Sequence, residues 1–135
     1  MSATKTENKA AVDEQELDVA EKEAKAATSI DTYTHIFDKP FTFEGETFEQ
    51  LTFDWSKLTA ADGLAIENEL ASMGRAVITP EFSGEYLIRM AARACTTLRS
   101  DGHRRLGVDA YRTMSLADYS RIRGRARSFL LRAGS

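Results

Sequence analysis

Residues 38–54 constrain the fold more than any other stretch of this chain: Asp-Lys-Pro-Phe-Thr-Phe-Glu-Gly-Glu-Thr-Phe-Glu-Gln-Leu-Thr-Phe-Asp. Phe41 and Phe43 alternate with Thr42 and Glu44, the period of a strand with one buried face. Glu44-Gly45 supplies a turn in which glycine is free to take positive φ. A return strand is expected over about Glu46–Phe53. Pro40 is expected at the start of the first strand, where its missing N–H does least harm. The return strand has one irregularity: Leu51, Phe53 and Trp55 share a parity that Phe48 breaks. Either a bulge lies near Glu49-Gln50, or Phe48 covers the hairpin's opposite face. Two strands alone are unstable in water, so other elements must pack on them.

Those elements read as helices. Thr59-Ala-Ala-Asp62 has the form of a capping box with Asp in place of Glu. Ile66, Leu70 and Met73 follow as a core stripe, and Gly74 is a good stop. Pro80 excludes helix from the connector 76–80. Ser83 caps a second expected helix, about Gly84–Leu98, with Leu87, Met90, Ala91, Ala94 and Leu98 inward. Glu85, Arg89 and Arg93 share its wet face. Residues 100–103 read as a loop. Asp109 is placed to cap a short helix, Ala110–Met114. Ser115-Leu-Ala-Asp118 opens the last helix, to about Leu131, with Tyr119, Ile122, Ala126, Phe129 and Leu130 inward. The fold class is therefore α+β: a short N-terminal β-hairpin packed on a mainly helical body of about four helices.

This body is expected as a single domain over residues 31–133. Residues 1–30 hold only Met1, Val12, Leu17, Val19 and Ile30 as sizeable apolar side chains. They cannot bury enough area to offset their ordering entropy, so a disordered, flexible acidic N-terminal tail is expected. Its Ala, Glu and Lys content from Val12 to Ala27 favours nascent helix. The N-terminus lacks the cationic start and apolar run of a signal peptide. No run of about 18 apolar residues exists for a membrane span. Cys95 is the only cysteine, so no internal disulfide forms. These features fit a cytosolic protein.

Charge is sorted along the chain. All six Lys lie at or before Lys57, and all twelve Arg at or after Arg75. Residues 1–70 carry six Lys against sixteen Asp and Glu, and residues 71–135 carry twelve Arg against five, so −10 and +7 give the net −3. The acidic front and basic back either neutralise each other in the fold or attract different partners.

No residue set suggests catalysis, a cofactor or a metal, so an enzyme is not expected. A nucleophile needs a base beside it. The only histidines are His35, placed before the hairpin, and His103, in a polar loop. Cys95 has the setting of an inert core thiol. One Cys and two scattered His cannot close a zinc site. The strongest functional signal is the arginine row of the last helix: Arg121, Arg123, Arg125, Arg127 and Arg132. It reads as a solvated face partly paired with the acidic front, as a surface for an acidic protein partner, or as a grip on phosphates. The acidic total and the lack of interleaved aromatics disfavour nucleic acid.

The order of these signals resembles a known family. Lys39-Pro40 leads into the Phe-x-Phe-x-Gly hairpin Phe41–Gly45, followed by Thr-Phe-x-x-Leu-Thr-Phe, Thr47–Phe53. Leu-Thr-Ala-Ala-Asp, Leu58–Asp62, opens a helix. A short helix then precedes Met-Ser-Leu-Ala-Asp-Tyr, Met114–Tyr119, and a helix reaching Phe129-Leu130. Over about residues 36–131 this is similar to the tail assembly chaperones of tailed bacteriophages and prophages. The resemblance implies a non-enzymatic protein of the host cytoplasm that is absent from the finished virion. It implies binding to the tape measure protein, which is kept soluble, and recruitment of major tail tube protein subunits. Self-association is compatible with it. The expected contact residues are Phe48, on the hairpin's second face, with Arg121, Arg125 and Arg132. Replacing Phe48 by Ser, or Arg121 and Arg125 by Glu, is expected to weaken partner capture and leave the fold intact. The reading from another class is a small nucleic-acid-binding or regulatory protein using the arginine-rich helix.

Overall fold

The computed structural model describes residues 31–134; the expected flexible tail, its nascent helix and Ser135 lie outside the described residues. The fold is α+β. Two antiparallel strands, β1 (Thr32–Phe43) and β2 (Glu46–Asp54), form a hairpin. Four helices follow: α1 (Ala60–Ser72), α2 (Gly84–Ala94), α3 (Val108–Arg112) and α4 (Leu116–Ala133).

β1 begins eight residues before Pro40, which corrects the expectation that proline opens it. Tyr33, His35 and Phe37 turn inward between exposed Thr32, Thr34 and Ile36. The ladder runs from Thr32↔Asp54 to Ile36↔Gln50, slips, and resumes at Phe41↔Phe48. Residues 37–40 thus pass opposite Glu49 alone. Pro40 sits in this interruption, where no ladder bond is lost to its missing N–H. Glu44 and Gly45 close the turn with φ of 50° and 81°.

The slip also resolves the parity break in β2. Phe48, Leu51 and Phe53 are all buried, while Glu49 and Gln50 between them are exposed. Phe48 is 7% exposed and its ring lies 6.5 Å from that of Phe41. It therefore belongs to the core and not to a second face. The expectation that it contacts a partner, and that its replacement by Ser spares the fold, is corrected. A register change shifts side-chain parity without changing the buried face.

Trp55 follows β2 in a single 3-10 turn and is 1% exposed. Its ring stacks 5.3 Å from Phe53 and 6.4 Å from Phe129 of α4, so it ties hairpin to helix. At α1, the Thr59 N–H donates to Asp62 Oδ2 at 2.8 Å. The helix ends where Gly74 takes φ 75° and Arg75 N–H donates to the Leu70 carbonyl at 2.8 Å, a Schellman closure. Ile66 and Leu70 are buried as expected, but Met73, in the cap, is half exposed.

α2 stops at Ala94, four residues short of expectation. The chain then runs beside β2: Thr96 N–H donates to the Thr52 carbonyl, and Thr52 N–H to Thr97 Oγ1, both at 2.8 Å. Two adjacent β-branched threonines favour this extended path, and Leu98 is left half exposed. Arg105 donates to the carbonyls of Arg93 and Cys95, capping the end of α2. The short helix α3 starts earlier than expected, capped by Gly107, with Asp109 in its first turn. α4 starts at its Ser115 cap, and Ile122 and Ala126 lie at its buried centre.

Residues 31–135 carry two Lys and twelve Arg against fourteen Asp and Glu, so this body is formally neutral. Several arginines meet carboxylates from the acidic front. Arg93 bridges Asp62 and Glu69 of α1, and Arg99 clamps Glu44 and Glu46 at the hairpin tip. The charge sorting along the chain is thus partly cancelled across the fold.

Candidate functional site

The most concentrated set of polar groups in the interior centres on His35 and Asp118. Alternation in β1 turns His35 inward, where it is 0% exposed. The Ser115-x-x-Asp118 box at the start of α4 places its carboxylate against the imidazole. Nε2–H donates to Asp118 Oδ1 at 2.8 Å, and the Tyr33 hydroxyl donates to Nδ1 at 2.9 Å. Asp118 Oδ2 accepts from Ser115 Oγ at 2.6 Å, and Oδ1 accepts from Arg121 at 3.0 Å. Arg121 also reaches Asp38 at 3.7 Å.

Burial holds the His35 pKa below 6.5, outweighing the opposing pull of Asp118. For Asp118, burial works upward, but hydrogen bonds from Ser115, His35 and Arg121 hold its carboxyl below the usual value. Serine, histidine and aspartate converge here, yet Ser115 donates to the aspartate and not to the imidazole. The histidine is sealed from solvent and cannot take a proton from the hydroxyl, so the set lacks the nucleophile–base pairing of acyl-transfer chemistry. Its geometry is that of a brace between β1 and α4.

The brace gives stability a defined pH dependence. Unfolded, His35 takes up a proton near pH 6.5; folded, it does so only at lower pH. The unfolded state then binds more protons, so stability is full above pH 6.5 and falls below it, by at most about 1.4 kcal/mol per pH unit from this one group. Urea unfolding of the wild type between pH 8 and 5 is expected to show stability falling as the pH drops below about 6.5. A His35→Gln variant is expected to lack this component; an unchanged slope in the variant would refute it.

The arginine row of α4 divides between two sides of the helix. Arg121 and Arg125 face β1, where Arg121 is held by Asp118 and Asp38 and the Arg125 guanidinium lies 4.8 Å from the Tyr33 ring. Arg121 is therefore part of the brace, which removes the basis for expecting its replacement by Glu to leave the fold untouched. Arg123 and Arg127 lie on the other side, stacked over Tyr119 at 5.3 Å and Phe82 at 5.9 Å. Arg132 is exposed near the end of α4. Of the four expected residues, Arg121 and Arg125 thus share the β1 side of α4, while Phe48 lies in the core.

A different surface feature escapes the linear sequence. A groove of about 600 Å³ opens between the start of α2, α3 and the start of α4. Ile88, Tyr111 and Met114 line it from the core, Tyr119 lies along it, and Leu116 stands at its lip, 76% exposed. Glu85 and Arg112 close one edge as a bidentate pair with both bonds at 2.9 Å. Hydrogen bonding from Arg112 holds the Glu85 carboxyl below its usual pKa. The sequence signal for the groove was Leu116, an apolar residue inside the cap box, one position outside the inward stripe.

Among the described residues, no three His, Cys, Asp or Glu are grouped to hold a metal ion. No described helix is long and apolar enough to cross a membrane. Comparison with known proteins finds no match among family models, curated proteins or solved structures.

Proposed function

We propose that this chain is a tail assembly chaperone of a bacteriophage or prophage. In this reading it acts in the host cytoplasm, holds the tape measure protein soluble, and helps recruit tail tube subunits before leaving the growing tail. The resemblance in the order of motifs supplies the family. The observation that carries the physical side is the apolar surface outside the core, with Phe82 72% and Leu116 76% exposed. Single exposed apolar residues are ordinary. Leu116 lines a groove with Ile88, Tyr111 and Met114 that Arg112 also borders, and Phe82 lies under the Arg127 guanidinium. An apolar strip with a charged margin suits transient cover of the apolar stripes of a long helical protein.

The test is co-expression. With this chain present, the tape measure protein of the same phage is expected to move into the soluble fraction and to co-purify with it. Equal solubility without the chain, together with no co-purification, would overturn the reading; so would its presence as a stoichiometric part of purified particles. The reading as a nucleic-acid-binding protein gains little from the structure, since the described body is formally neutral and Arg121 is engaged by carboxylates.

A further inference from the structure

We infer that the groove between α2, α3 and α4 docks an amphipathic helix of a partner protein, one whose apolar stripe is flanked by carboxylates one turn apart. The inference rests on the partner-binding reading above and assigns its surface and the chemistry of its occupant.

Three observations converge. The groove has an apolar floor of Ile88, Tyr111 and Met114 and a solvent-facing apolar lip at Leu116. Leu116, Arg123 and Arg127 follow one another at i, i+7 and i+11, which sets them on a single stripe of α4. The third observation concerns the two arginines themselves. Arg112 and Arg121 face carboxylates, but Arg123 and Arg127 make no ion pair among the described residues. Each is instead laid over a ring, and the Nε of each is buried without a hydrogen-bond partner.

The stripe therefore presents an apolar residue and two uncompensated, ring-held guanidiniums one helical turn apart. Guanidinium selects carboxylate through charge-assisted, often bidentate hydrogen bonds. A helix with Asp or Glu at i and i+4 meets both arginines from one side. The apolar residues beside those carboxylates then reach the groove in the manner of helix-in-groove recognition. A nucleic acid offers anions but no aliphatic side chain for the apolar floor. A second copy of the described body is a poor occupant, because none of its helices carries two carboxylates at i and i+4.

The experiment compares the full-length chain with two variants for binding to the co-expressed tape measure protein. One variant is Arg123→Glu with Arg127→Glu; the other is Leu116→Asp. Leu116 is the exposed first residue of α4, where a carboxylate suits the helix N-terminus, so that variant folds even if the double variant does not. Each folded variant is expected to bind about tenfold more weakly or worse. Exchanging the partner's carboxylates for Lys is expected to restore binding to the charge-reversed variant. Wild-type affinity in a folded variant would overturn the groove assignment and leave the chaperone reading standing. No binding by the wild type would overturn that reading and this inference with it. Retention of DNA by the wild type, lost in both variants, would reassign the surface to nucleic acid and overturn the inference.

Discussion

A Trp55→Ala variant is expected to lose about 3–5 kcal/mol of stability, the range for removing a large buried aromatic side chain. Small domains have about 5–15 kcal/mol in total, so this one change removes a large share. The indole lies nearly parallel to Phe53, at 6° between planes, and meets Phe129 on the other element. Its loss opens a cavity between hairpin and helix that neither backbone can close without breaking the β1–β2 ladder or moving α4. Trp55 is the only tryptophan, so wild-type fluorescence reports this contact directly. The variant must be followed by circular dichroism in urea. A loss below about 1 kcal/mol would contradict the packing described, because even a small buried deletion costs that much.

Asp118→Ala is the second large effect, about 2–4 kcal/mol. About 1–3 kcal/mol comes from leaving the buried His35 Nε2–H without its acceptor. About 1 kcal/mol more comes from weakening the cap of α4, where Ser115 and Asp118 bond reciprocally. Asp118→Asn keeps an acceptor in place and is expected to lose less. A double-mutant cycle with His35→Gln is expected to show coupling of about 0.5–3 kcal/mol, since the residues share one network. Strict additivity would mean that the brace is not a unit.

The hairpin, the helices and their order were legible because each rests on local rules. Gly45 and Gly74 take positive φ where turn and stop were expected, and Thr59 and Ser115 cap the helices they precede. Register is not a local property. The parity of Phe48 signalled an irregularity, but only the partner strand shows that residues 37–40 pass opposite Glu49 and keep Phe48 in the core. The end of α2 was misread for a related reason: Thr96 and Thr97 leave the helix to bond Thr52, 44 and 45 residues away.

The site was less legible than the fold. His35 alternates with Tyr33 and Phe37, which could have marked it as inward. Its partner Asp118 lies 83 residues downstream and looked like an ordinary cap. Spacing sets Arg121, Arg125 and Arg132 on one side of α4, but it does not say which side of the helix meets β1. In the structure Arg121 and Arg125 lie on the β1 side, beside Asp118 and Tyr33, while Arg123 and Arg127 lie over Tyr119 and Phe82.

The slip in the hairpin ladder has a mechanical consequence. Backbone bonding stops between Ile36 and Phe41, but ring contacts do not: His35 to Phe37 spans 4.8 Å, Phe37 to Phe41 5.3 Å, and Phe41 to Phe43 6.4 Å. The unpaired stretch of main chain is thus spanned by a continuous aromatic rail. The tip, clamped by Arg99, and the base, fixed by Trp55, are separate paired segments of one hairpin, and between them ring contacts stand in for ladder bonds.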